Sequence, residues 1–209
     1  REKKLQETKD LCQQAGAQVL AMVADVSHHD ELKAFVEKTA ETFGTIDVLV
    51  NNASTISAPH PFLEHTINDL EEALHSGLYG TWQMMQLCFP YMKEHGGAII
   101  NFGSIGGVNG LEGFAAYAAE KEAIRGLSRV VAREWGQFGI RVNCVAPGCV
   151  RTDMVEALGE ETLAALAEET PLERLGTPED VAQAIWFLAS PAGDFFTGQV
   201  LAPNGGFII

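Results

Sequence analysis

Three residue types in one short stretch could carry proton chemistry. In Asn101–Lys121, NFGSIGGVNGLEGFAAYAAEK, Ser104 follows an apolar run, AIINF, and Tyr117 and Lys121 stand four residues apart. On a helix, positions i and i+4 share a face, so the phenol and the ammonium can meet. A free Tyr titrates near ~10, and an adjacent cation favours the phenolate. Such a phenol can give or take a proton close to neutral pH. Ser104 would sit at the carboxyl end of a strand, the edge where open α/β sheets place their ligands. Its hydroxyl could hold a carbonyl or alcohol oxygen while Tyr117 exchanges the proton.

The elements that must position these groups alternate along the chain. REKKLQETKDLCQQAG reads as a helix with Leu5, Thr8, Leu11, Cys12 and Ala15 on one face, stopped by Gly16. AQVLAMVA reads as a buried strand ending at Asp25. The next helix is expected to be capped by Ser27 and Asp30, with Leu32, Phe35, Val36, Ala40 and Phe43 buried and Gly44 closing it. IDVLV is a second buried strand running into Asn51-Asn52-Ala53-Ser54. A helical region from Thr66 to about His95 is expected to break near Gly77 and Gly80. IRVNCVA, then TGQVLAPNGG, complete the strands; two short helices over 153–170 and a capped helix from Thr177 lie between them. Strand alternating with helix predicts one domain over 1–209, an α/β fold with a parallel sheet covered on both faces.

Composition narrows the partners. A formal net charge of −14 argues against nucleic acid and anionic membrane surfaces as partners. No apolar run reaches the roughly 18 residues of a membrane span. Cys12, Cys88, Cys144 and Cys149 have no metal-binding spacing and are expected to be free thiols in a reducing cytoplasm. The six histidines contain no H-E-x-x-H, so no metal is expected.

Ser104, Tyr117 and Lys121 in this order and context resemble the short-chain dehydrogenases/reductases, whose pattern is a Ser, a gap of about a dozen residues, then Tyr-x-x-x-Lys. Other pieces are similar to the same family, from the third strand to the end of the chain. Asp25-Val26 resembles the pair that holds the adenine. Asn51-Asn52-Ala53 resembles the turn lining the cofactor, with Ser54 where the family has Gly. Pro147-Gly148 through Val150 and Thr152 resembles the segment gripping the nicotinamide carboxamide. The resemblance implies a three-layer, Rossmann-like doubly wound sheet and hydride transfer between NAD or NADP and a small-molecule secondary alcohol or ketone. In it Tyr117 would be the general acid/base. Lys121 would lower the Tyr117 pKa and bind the ribose, and Ser104 would position the substrate oxygen. It also implies a homodimer or homotetramer through the two long helices, and a substrate lid over 154–170 whose Met154, Leu158, Leu163 and Leu166 suggest an apolar or bulky substrate.

Two departures stand out. The family's Gly-rich phosphate-binding turn does not occur in the 209 residues. By the resemblance, the first two strands and first helix would precede Arg1, so the sequence is expected to be a fragment. Gly77 stands where the family has an Asn that completes a tetrad, so a slower or altered proton relay is expected, with Ser76 or His75 as stand-ins. These departures support a rival reading, a non-catalytic or truncated member serving as an oligomerisation or binding subunit. A nucleotide-binding regulator is a third. Arg1, Lys3 and Lys4 lean towards a 2′-phosphate, hence NADP, although a solvated helix start explains them equally well.

Overall fold

The computed structural model describes residues 2–208; Arg1 lies outside them. Four parallel strands form one sheet: β1 (Val48–Asn51), β2 (Gly97–Phe102), β3 (Ile140–Val145) and β4 (Val200–Leu201), in the order β1-β2-β3-β4. The register sets Asn51 against Asn101, and Phe102 against Val145. Parallel neighbours need crossover helices, and these cover the sheet.

Successive side chains of a strand point to opposite faces, and β2 shows this directly. Ile99 joins a core with Leu32 and Val36 of α2 (His29–Phe43), Met85, Cys88 and Met92 of α4 (Gly80–Met92), and Val131 and Ala132 of α6 (Ala115–Trp135). Ala98 and Ile100 pack on the other face against Val181 and Leu188 of α9 (Pro178–Ala189). The result is the expected three layers.

The helical region after Thr66 is divided as its glycines suggest. Thr66 and Asp69 form a reciprocal capping box that starts α3 (Ile67–Ala73). A six-residue π-turn, Leu74–Tyr79, carries Gly77 and leads into α4. The short helices α5 (Ile105–Asn109), α7 (Asp153–Glu156) and α8 (Glu160–Glu168) follow in their places, the last two within the expected lid.

Three expectations are corrected. Residues 17–25 form no strand: they join no ladder of the sheet, and an apolar run without a hydrogen-bonded neighbour has nothing to fix it as a strand. The cap of α2 is His28, without a side-chain hydrogen bond; the Ser27 hydroxyl instead donates to Asp25 at 2.7 Å. Finally, α1 (Glu2–Gln14) buries no residue and leaves Leu11 exposed. Lys4 pairs with Asp153 at the start of α7, and Lys3 with Glu7 of its own helix.

Candidate active site

Ser104 lies two residues past the end of β2, where it caps α5: its Oγ accepts from the Gly106 amide at 3.0 Å. The extended backbone at Ser104 turns the chain out of the sheet and presents the hydroxyl at the strand's carboxyl edge. Tyr117 and Lys121 lie one turn apart on α6, which packs against α3, the π-turn and β3. The Lys121 ammonium stands 5.3 Å from the centre of the Tyr117 ring. The Ser104 hydroxyl lies close enough to the Tyr117 phenol to pull its pKa down. The structure thus brings together all three residues singled out by type and spacing.

Their electrostatics differ from the sequence expectation. Burial raises the Tyr117 pKa above its ordinary value; the Ser104 hydroxyl opposes this, and the charge of Glu120 adds to it. The Lys121 ammonium is paired with Glu120 at 3.0 Å. Glu120 is 0% exposed and Lys121 4%. Burial pushes the Glu120 carboxyl up, while Lys121 and a Ser54 hydrogen bond pull it back.

Glu120 is the residue that sequence reasoning passed over, and the space it fills is provided by Gly77. A Cβ at Gly77 would lie 1.7 Å from Glu120 Oε1, so a larger residue there would displace the Glu120 carboxyl. Neither Ser76 nor His75 takes that place. The Ser76 hydroxyl is 2.6 Å from that of Thr55, and the His75 ring meets Tyr79 edge-on. The one signal in the sequence is a carboxylate beside Lys121 together with a glycine 43 positions earlier, and only the fold joins them.

Of the expected cofactor residues, Asp25, Val26, Asn51 and Ala53 border a cleft outside the carboxyl end of β1. Met22, Ala24, Val26, Val50, Asn51 and Ala53 form one apolar compartment, and Asp25, Val26, Ala53 and Ser54 line the space beside it. Asn51 Nδ2 donates to Asn101 Oδ1 at 2.8 Å, which ties the floor of the cleft to β2. Asp25 Oδ1 accepts from the Ser27 amide at 2.9 Å, shaping the turn before α2. Pro147 and Gly148 leave β3 beside Ser104: the Ile105 amide donates to the Pro147 carbonyl at 3.4 Å. Gly148 packs so closely on Asn204 that a Cβ would lie 2.8 Å from its Cα. Val150 bridges Gly176, and Thr152 is exposed at the start of α7, its side chain making no cap. An apolar slot beside a carboxylate suits an adenine and its ribose, and the close backbone at Pro147–Val150 suits a planar amide. The residues present therefore fit the two ends of a dinucleotide.

One cluster invites a metal reading. Potential ligand atoms of His60, His65 and Asp69 lie within 4.8 Å of one another. Asp69, however, is committed to the capping box of α3, and the two imidazoles stack at 3.9 Å. The buried His65 Nδ1 has no hydrogen-bond partner among the described residues.

Residues 1–208 match the family described as enoyl-(acyl carrier protein) reductase. Among curated relatives, a 3-oxoacyl-(acyl-carrier-protein) reductase FabG of Thermotoga maritima is 39% identical over 90% of the chain and 76% of its own length. The 12alpha-hydroxysteroid dehydrogenase of a Clostridium species is 37% identical over 98% of the chain and 82% of its own length. The solved structure of ElxO with NADP bound superposes with a TM-score of 0.83 at 33% identity, covering 88% of this chain and 75% of that one. The chain belongs to the short-chain dehydrogenases/reductases. As a member it is an NAD(P)-dependent oxidoreductase of ketones and alcohols, built on the family's Rossmann-like fold.

Proposed function

We propose that this enzyme reduces a ketone carried on an apolar or bulky framework, or oxidises the matching secondary alcohol, with Tyr117 as general acid/base. The observation that carries the reading is the convergence of Ser104, Tyr117 and Lys121 at the sheet edge beside the cleft. A bound nicotinamide supplies or accepts the hydride. Asp25 and Val26 would hold the adenine end, Asn51 and Ala53 the wall between, and Pro147, Gly148, Val150 and Thr152 the carboxamide end. Ser104 Oγ donates to the substrate oxygen and orients it. Tyr117 gives its proton to that oxygen during reduction and takes it back during oxidation. Lys121 holds a cation beside the phenol and binds the ribose.

The substrate reading draws on relatives named for 3-oxoacyl chains and for a hydroxysteroid, and on the lid, where Met154 and Leu158 are exposed and Leu163 is buried. The ElxO structure with NADP bound, and that of a Tyr-to-Phe variant with NADPH bound, support NADP as the preferred cofactor. An oligomer through α4 and α6 is supported by the exposure of Trp82 (49%) and Val130 (53%) on those helices. The cytoplasm is supported by four cysteines that are all free. No described helix is long and apolar enough to cross a membrane.

The test is Tyr117→Phe in the complete protein, assayed with NADPH against acetoacetyl-coenzyme A and a 3-keto steroid. Turnover is expected to fall by about 10²–10⁴-fold while NADPH fluorescence titration is unchanged. Undiminished turnover would remove Tyr117 from the chemistry. Equal affinity for NADH and NADPH would remove the cofactor preference.

A further inference from the structure

We propose that Glu120 is a positioning and relay residue of this site: it fixes the Lys121 ammonium and passes protons between it and the open cleft through the Ser54 hydroxyl. The inference rests on the reading of Tyr117 as acid/base and deepens it.

A carboxylate with no exposed surface needs a reason to be there, because an apolar side chain of similar volume is often neutral or stabilising in its place. Glu120 faces inward between three groups. Its Oε1 lies 3.0 Å from Lys121 Nζ, and the Ser54 hydroxyl stands 3.2 Å from each of its oxygens. Gly77 supplies the vacant volume across from it, at the centre of the π-turn. Ser54 in turn lines the open cleft with Asn52, Ala53, Thr55 and Ser76. A continuous polar route therefore runs from Lys121 to Glu120, to Ser54 and to solvent.

The other titratable groups on elements packed around Glu120 are few. Tyr117 and Lys121 share its helix. Asp69 of α3 is half-buried and held in its capping box, while Glu71 and Glu72 of α3 and His75 and Tyr79 of the π-turn are exposed. The charge of Glu120 holds the Tyr117 phenol up, and burial favours the protonated form of Glu120 itself.

The proton balance closes without another reactant. Each ketone reduced takes one proton from Tyr117, and one proton must return from solvent. Water protonates Ser54 Oγ as its hydroxyl proton passes to the Glu120 carboxylate. The resulting carboxylic acid re-protonates Lys121 whenever its ammonium has given up a proton towards Tyr117. Oxidation runs the same path outwards.

Glu120→Gln keeps the shape and the Ser54 contact but can neither carry the proton nor balance Lys121. In the cofactor-free protein, ultraviolet titration should show the Tyr117 phenol titrating at lower pH than in the parent, with Tyr117→Phe identifying its signal. With NADPH and whichever ketone above is turned over, kcat should fall about tenfold. The pH profile should lose one limb. An unmoved phenol with a wild-type pH profile overturns the proposal. If the variant fails to fold by circular dichroism, Ser54→Ala decides, because it breaks the route and leaves the ion pair. A lowered kcat that added formate restores supports the relay, whereas an unchanged kcat overturns it. The two readings fail separately: an active Tyr117→Phe enzyme sinks the acid/base assignment, and a dead one beside a normal Glu120→Gln sinks only the relay.

Discussion

At the scale of single residues, burial decides which side chains can react. The Cys88 thiol is pushed up to about 12 and the Cys144 thiol to about 11 by burial, whereas Cys12 is exposed. The thiolate is the nucleophile, so iodoacetamide on the folded protein at mildly alkaline pH should label Cys12 and spare Cys88 and Cys144. Mass spectrometry of the peptides checks this, and early labelling of Cys144 would mean that the edge near Gly103 opens. Ser104, Tyr117 and Lys121 were legible because their roles depend on local spacing, which a helix and a strand end fix. Glu120 was not, because on the sequence it is one more acid on an amphipathic helix. Its burial depends on the missing side chain at Gly77, and so does its hold on Lys121.

At the scale of elements, the cap of α9 was legible, whereas the cap of α2 and the isolated strand were not. Thr177 and Asp180 form the box expected at the start of α9, with Pro178 at its first position. Thr177→Ala should lower stability by about 1 kcal/mol, seen as a lower urea midpoint with an unchanged slope. Asp180 adds a pH dependence. The Arg174 guanidinium, and next the Thr177 amide, hold its carboxyl well below the usual range. A group depressed in the folded state stabilises above its unfolded pKa, near ~4, and that stability is lost as pH falls below it. Asp180→Asn should therefore flatten the acid limb of the melting curve and leave its alkaline side parallel to the parent's. The misread run AQVLAMVA shows where local patterns stop. Hydrophobicity marks a segment for burial, but a strand exists only with a hydrogen-bonded neighbour, which lies elsewhere in the chain or nowhere in the described residues.

For the whole molecule, the layers and the parallel sheet followed from the alternation of strand and helix, while the assembly did not. Trp82 on α4 and Val130 on α6 leave an apolar surface on the helices expected to pair. Replacing both with Glu should reduce the mass found by light scattering if these helices join protomers, and an unchanged oligomer would place the interface elsewhere. The net charge of −14 also predicts no retention on heparin or on anionic vesicles at physiological salt.

The π-turn at Leu74–Tyr79 has a consequence for rotational phase. One extra residue in a helix turns everything after it by about 100° about the axis. Here that offset lets α3 face α6 while Met85, Cys88 and Met92 of α4 face the sheet. Deleting a single residue between 74 and 79 would restore a regular helix and swing that stripe out of the core. The segment thus works as an angular gauge, whose length matters more than the identity of its exposed residues.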